Sequence, residues 1–526
     1  MIQAQTQTSA YWGPNFSVGD SDIEQINTHF LEVERPQTLQ ELTRVIFAHR
    51  VAEERRNVQK LLKGRTVYQP RNSFEVGEEL IFPALHFAPG QVTGMRAGYN
   101  PQYGEFDVIG VEMGGKTREF AAGLTAEHAL NVDDTDLIAD IMDVDIEQLI
   151  QLYGHEVERK LAKKLESLPD FVRLGSEWFV KPLMVGINIG HLHLAEAILE
   201  IGEGGPMPPA DILPHLDLDA SIDARVQRFS LNYAMLQDHR FDEVAPAGQV
   251  AWFLKRMEPE GVQSVPERLR YEPISYDRAL LSPQLLSLER ELDDEWSELE
   301  PLGTPEPTVM SLTFPHRWAG TIPLSSRIRP LFPTSTSPRQ RVVFIDEGTG
   351  SEIVGWVVQQ ARYVQGLADW YEEHGMPVGG YIYLKPGPEP GKVVINFDRR
   401  RPQREWVRLA TASDNQIHFE LMRRSIGCGY DDLLIVGTDV VAAIDALWRR
   451  AESHQRSVAS LLAEIFPQLA NLNPQGSVHA KTLYSALNML RRVPPGPLFA
   501  ELVRHPAFQP VGDHYWRFDS SRWRAG

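Results

Sequence analysis

The sequence predicts an α+β fold divided among several domains, and three observations point to it. A Phe, an aliphatic residue three places on, a turn and then a Trp recur as Phe171-Leu174-Trp178, Phe241-Val244-Trp252 and Phe508-Val511-Trp516, each after a stretch with helical periodicity. Strand-like alternation is concentrated elsewhere, in one block after Gly64 and another from Val309 to about Val436. The 526 residues leave room for roughly three to five domains of about 100–150 residues.

The recurring aromatic pattern carries Gly175, Gly248 and Gly512 between two alternating apolar runs, which marks a β-hairpin. Helices feeding a two-stranded wing follow the winged-helix plan, and three copies suggest a repeated module. Each Trp is also expected in the core, because such a wing closes the core of its own module.

Elements follow in order. Residues 20–66 read as a helical, winged-helix-like segment, with one helix from Ser21 to about Glu34, broken by Pro36. Thr38-Leu39-Gln40-Glu41 fits a capping box, in which the Thr hydroxyl and Glu carboxylate satisfy the first free amides. The helix it opens should run to about Lys63, with Leu42, Val45, Ile46 and Val58 on one face and Arg55, Arg56 and Lys60 on the flank. Residues 67–125 hold four or five short strands divided by turns at Pro89-Gly90, Asn100-Pro101 and Gly114-Gly115, enough for a small closed β-barrel. Helical segments 144–185 and 186–256 end in the Phe171 and Phe241 wings. Residues 257–308, with LERELDDEWSELEP, read as an acidic linker, an exposed helix or tether. Residues 309–436 are strand-rich, and 439–523 form a helical module ending in the Phe508 wing.

A net charge of -19 argues against polyanion binding by the whole chain, since phosphates are held by Lys and Arg. The distribution reverses this locally. From Val309 to Arg424 there are fifteen Lys and Arg against eleven Asp and Glu. A second basic island, from Glu41 to Phe74, contains Arg55, Arg56 and Lys60. The run DRRRPQREWVR gathers Arg399, Arg400, Arg401, Arg404 and Arg408 around Trp406, and guanidiniums pair with phosphates and fork onto guanine edges. An acidic partner, or the chain's own acidic linker, would suit the same charges.

Three segments bear family resemblances. SVHAKTLYSALNML, RRVPPGPLFAELV and FQPVGDHYWRF follow the order of the HARE-type winged helix (HARE-HTH) of the bacterial RNA polymerase delta subunit and of chromatin proteins. AGTIPLSSRIRPLFP, RVVFIDEGTGSEIVGWVV and RYVQGLADWYEEHGMPVGGYIYLKPG resemble the plant-type DNA-binding pseudobarrel, shared with effector domains of some restriction endonucleases. Phe332-Pro333, Trp356, Gly366 to Tyr371 and Met376 to Gly380 carry that resemblance. It implies a first DNA-facing arm with Arg317 and a second with Gln359, Gln360 and Arg362; Arg327 and Arg329 are further nucleic-acid contacts expected in the same basic region. Val76-Gly77-Glu78-Glu79-Leu80, Gly90-Gln91-Val92 and Gly115 to Phe120 resemble the Tudor-like barrels with which bacterial transcription and repair factors grip RNA polymerase.

Catalytic signatures are absent from the sequence. His191 and His193 lack a third ligand at metal spacing, with Glu196 expected to face water. Asp346-Glu347 and Asp431-Asp432 sit at turns, where Asp bonds local backbone. No phosphate loop, nucleophile elbow or dinucleotide fingerprint occurs. Cys428 is the only cysteine, which excludes an intrachain disulfide. No apolar run approaches the roughly 18 residues of a membrane helix, and the N-terminus lacks a basic flank and apolar core, so a cytoplasmic protein is expected. The expectation is a non-enzymatic DNA-binding protein, associated with transcription or the chromosome, with duplex DNA as partner, no cofactor, no metal and no membrane. The alternatives are an RNA-polymerase-associated scaffold and the recognition component of a restriction or defence system.

Overall fold

Helices and six sheets alternate along the chain in the computed structural model, which describes residues 5–14, 16–85, 87–126, 128, 130–131, 144–246, 249–332 and 337–524. Gly248 and Pro333, used above for a turn and for the pseudobarrel resemblance, lie outside the described residues. Two units form, Met1–Ile187 with Leu218–Tyr233, and Asn188–Asp217 with Ala234–Gly526. Among the described residues no helix is long and apolar enough to cross a membrane.

The first unit runs α1 (Asp20–Val33), β1 (Gln37–Thr38), α2 (Leu39–Leu62), β2 (Thr66–Val67), β3 (Glu79–Phe82), β4 (Ala88–Asn100), β5 (Gly104–Met113), β6 (Lys116–Ala122), α3 (Ile146–Glu166), β7 (Phe171–Leu174) and β8 (Glu177–Val180). Thr38 opens α2 as its sequence requires: its hydroxyl accepts from the Glu41 amide, and the Glu41 carboxylate accepts from the Thr38 amide. Asp145 caps α3 by accepting from the Glu147 and Gln148 amides.

Segments 20–66 and 144–185, expected as separate, share one sheet and one core. β1 pairs with β8, Gln37 opposite Trp178, and Phe30, Leu42, Ile46, Phe47, Val157, Leu161 and Trp178 pack in one cluster. An amphipathic helix needs a second apolar surface to cover its stripe, and α2 and α3 supply this to each other although β2–β6 lie between them in sequence.

β2–β6 form a five-stranded sheet in chain order, packed around Tyr68, Phe74, Leu80, Phe82, Val92, Ile109 and Val111. The last strand returns toward the first, because the amides of Gly123 and Leu124 donate to the carbonyls of Asn72 and Pro70 and the Tyr68 hydroxyl donates to the Ala121 carbonyl. Pro89-Gly90 is not the expected turn. Both residues lie inside β4, and the chain reverses earlier, around Pro83–Leu85. Gly90 is required there by close approach, since a Cβ would lie 2.5 Å from the Val111 side chain.

The second unit contains α4 (Ile189–Ile201), β9 (Phe241–Glu243), β10 (Trp252–Leu254), α5 (Pro283–Leu292), β11 (Thr308–Ser311), α6 (Phe314–Ala319), β12 (Thr321–Pro323), β13 (Arg339–Asp346), β14 (Glu352–Val358), β15 (Tyr363–Gln365), α7 (Ala368–Glu373), β16 (Tyr381–Pro386), β17 (Lys392–Phe397), β18 (Arg399–Ser413), β19 (Gln416–Cys428), β20 (Val436–Gly437), α8 (Val441–Ser453), α9 (Val458–Ala470), β21 (Val478–His479), α10 (Ala480–Leu487), α11 (Pro495–Arg504), β22 (Phe508–Gly512) and β23 (Tyr515–Phe518). Seven strands make one sheet in the order β11-β16-β17-β13-β14-β15-β12, over a core that includes Ile322, Phe344, Val357, Trp370, Tyr371 and Ile395.

All three aromatic patterns are antiparallel hairpins, β7–β8, β9–β10 and β22–β23. Their Trp residues are buried. Each Trp also pairs antiparallel with a short upstream partner: Gln37 with Trp178, Met207 with Trp252 and Val478 with Trp516. This third strand satisfies main-chain groups that the hairpin alone would leave at an open edge.

The expected linker is exposed along much of its length, but it sinks part of its acidic stretch into the unit. Its last stretch, 301–307, is exposed throughout. α5 buries Leu285, Leu288 and Glu289, and Asp293, Asp294 and Glu295 are each no more than 5% exposed. Arg492 reaches Asp294 at 2.6 Å and Glu295 at 2.7 Å, His316 meets Glu295 at 3.3 Å, and Arg278 holds Glu289 at 2.7 Å. Burial raises the Asp294 carboxyl above its ordinary value. For Glu295 burial acts in the same sense, but Arg492 and His316 prevail and bring it down to about 2. Glu289, Asp293, Asp294 and Glu295 are therefore interior charges, the last two held by an arginine far along the chain, while Glu291 and Glu298 of the same run stay exposed.

Candidate nucleic-acid interface

The long hairpin β18–β19 carries the basic run. Directly opposed residues of an antiparallel pair share a face, so the register sets Arg404 beside Ser425, Trp406 beside Arg423 and Arg408 beside Leu421 on one side. Trp406 is 57% exposed, and the Arg423 guanidinium lies 5.0 Å from its ring centroid. The pairing shifts between Arg399 and Gln403, around Pro402, which has no amide to donate and is tolerated where a bulge interrupts the ladder.

The arginines of this run differ in what holds them. Arg401 and Arg404 are exposed, and their side chains make no hydrogen bond or ion pair with another described residue. Arg399 lies over the Phe397 ring at 5.2 Å, whereas Arg400 is paired with Asp398 at 2.6 Å. Arg408 is half-buried and donates to the carbonyls of Asp432 and Ile435, and burial lowers its pKa. Among the described residues, the cations left exposed without an ion pair on this hairpin are therefore Arg401, Arg404 and Arg423, beside the exposed Trp406, with Arg399 at one end. Arg423 escaped the sequence reading because it lies 17 residues beyond Trp406, and only hairpin register brings them together.

Three of the residues expected to face DNA here, Arg317, Arg327 and Arg362, have internal side-chain partners. Arg317, on α6, donates to the Met376 carbonyl at 2.7 Å and lies over Trp318 and Tyr371; burial lowers its pKa. Arg327 donates to Asp293 at 3.0 Å and to the Glu291 carbonyl. Arg362 donates to the Glu295 carbonyl at 2.9 Å and covers Trp296. Arg329 is half-buried, its pKa lowered first by burial and then by the neighbouring Arg362 charge. Gln359 is half-buried and Gln360 exposed, in the turn between β14 and β15. The second arm thus packs against the acidic segment after α5, which removes its arginine from a ligand-facing surface.

Arg55, Arg56 and Lys60 lie on the last turns of α2. Arg56 and Lys60 are exposed, while Arg55 is half-buried. Other cations of that island are engaged: Arg50 with Asp22 at 2.7 Å and Arg44 with Glu147 at 3.0 Å.

Among the described residues no cluster of His, Cys, Asp and Glu could hold a metal ion. His191 and His193 lie on α4, and Glu196 accepts from Arg240 at 2.7 Å instead of facing water. Asp346 accepts from the Gly348 and Thr349 amides, the local bonding its turn position implies, and also from the Trp370 indole on another element. The chemistry on offer at β18–β19 is phosphate pairing beside an exposed aromatic ring. No family model, no curated protein and no solved structure matches this chain.

Proposed function

We propose that this is a non-enzymatic nucleic-acid-binding protein, associated with transcription or the chromosome, that holds the phosphates of duplex DNA on the solvent face of β18–β19. The observation that carries the reading is the group Arg401, Arg404, Trp406 and Arg423, exposed on one hairpin inside an acidic chain. Unpaired guanidiniums at a surface are the groups that displace counterions from a polyanion, and an exposed indole offers a stacking face.

The finer folds belong to the same proposal. Helices followed by a Trp-bearing hairpin with a third short strand support winged-helix modules, of HARE type at the C-terminus. The returning five-stranded sheet supports a Tudor-like barrel. The seven-stranded sheet with interposed short helices supports a pseudobarrel whose nucleic-acid contacts have moved from its arms to the hairpin that follows it.

A protein-scaffold reading is favoured by one observation. Met95 and Tyr99 are 52% and 71% exposed four residues apart on β4, so they share a face, and adjoining exposed apolar side chains mark contact surfaces. Gel-shift titrations of the full chain against duplex DNA, single-stranded DNA and RNA at several salt concentrations decide between them. Salt-sensitive binding weakened by joint Arg401→Ala, Arg404→Ala and Arg423→Ala changes supports the nucleic-acid reading. No binding at low salt, where electrostatic attraction is strongest, leaves the scaffold.

A further inference from the structure

β11 is an edge of the seven-stranded sheet, and register sets Val309 opposite Tyr383 and Tyr383 opposite Asn396. Three side chains therefore form a row across β11, β16 and β17. Val309 is 39% and Tyr383 42% exposed. With Lys385, Phe397 and Arg399 they line a groove of about 600 Å³, within the roughly 300–1,000 Å³ typical of small-molecule sites.

Charges in the groove are paired except that of Arg399 at its end. Lys385 is paired with Glu347, and Asp398 with Arg400 at 2.6 Å, so the interior suits a neutral planar group better than a phosphate. Asn396 is held in one orientation, since its Nδ2 donates to Glu347 at 2.8 Å and its Oδ1 accepts from the Phe397 amide at 2.8 Å. One N–H and one lone pair remain, enough to read the edge of a base. Arg399 lines the groove and also begins the basic strand β18. At about 3.4 Å per residue, Arg404 is on the order of 15 Å away, within reach of the same nucleic-acid strand.

We propose that this groove receives one unstacked nucleobase of a strand whose phosphates lie along Arg401, Arg404 and Arg423. The proposal rests on the nucleic-acid reading and sharpens its ligand from a fully paired duplex to one with an unpaired nucleotide. Tyr383 provides the stacking face, Asn396 the edge contact, and Arg399 at the groove's end meets the phosphates that stay outside.

The test uses the full chain with a blunt duplex and the same duplex carrying a short single-stranded tail. The tailed form should bind about tenfold tighter or more, the range expected of one base–aromatic stack. Tyr383→Ala should abolish that advantage while leaving blunt-duplex affinity intact, and Tyr383→Phe should retain it. Because Tyr383 is 42% exposed, folding should survive, checked by the unchanged duplex affinity. Equal affinity for the two forms, or an advantage that survives Tyr383→Ala, overturns the groove proposal and leaves the phosphate surface standing. Binding of neither form overturns both.

Discussion

The Arg362 guanidinium lies 4.7 Å from the centroid of the Trp296 ring and donates to the Glu295 carbonyl at 2.9 Å. A residue expected to read DNA is thus fastened to the acidic segment that follows α5. Arg362→Ala should cost about 1–2 kcal/mol, the combined scale of a partly buried cation–π contact and one hydrogen bond. Thermal unfolding checks this, and nucleic-acid affinity and sequence preference should be unchanged. A shift in preference without loss of stability would return Arg362 to the ligand-facing surface.

Arginines of β18–β19 should separate by engagement. Each of Arg401→Ala, Arg404→Ala and Arg423→Ala should make the slope of log affinity against log salt shallower by roughly 0.9 for every phosphate that is no longer neutralised. Arg408→Ala should leave the slope alone, because its guanidinium serves main-chain carbonyls. Fluorescence anisotropy over a salt series measures both, and equal slopes for wild type and the triple variant would clear this face of phosphate binding.

Trp516 is 5% exposed and pairs on both sides, with Val478 and with Pro510. Trp516→Ala should cost about 3–5 kcal/mol, as for other large-to-small changes in packed cores. Denaturant titration followed by circular dichroism measures it. A loss below about 1 kcal/mol would show that the hairpin does not close this core.

His479 couples the C-terminal module to pH. Its Nδ1 accepts from the Lys481 amide at the start of α10. Burial, with His514 and Lys481 nearby, lowers its pKa from 6.5 to about 4, against the opposing pull of Asp431 and Glu291. The folded state therefore resists a proton that the unfolded chain accepts. This ring leaves stability unaffected above about 6.5, and its contribution is lost as pH falls from there toward about 4. His479→Asn keeps a capping acceptor and should flatten that part of the stability–pH curve, read from melting temperatures across the window.

The sequence by itself determined the local elements, because their causes are local. Thr38 with Glu41 and Asp145 set helix starts through neighbouring amides, and the aromatic patterns at Phe171, Phe241 and Phe508 marked hairpins by alternation within a few residues. Basic residues near Arg404 were legible as a charged run for the same reason. Tertiary structure alone decided which of them meet. The Gln37–Trp178 pairing joins segments separated by a whole sheet, and two-residue strands such as β1 and β21 carry no periodicity from which to be read. Arg492 turns Asp294 and Glu295 from an apparent solvated run into interior charges, and only the register of β18 with β19 sets Arg423 over Trp406. Burial and charge pairing depend on residues brought together across long sequence separations, so the same acidic and basic runs fit a surface or an interior until the fold supplies their partners.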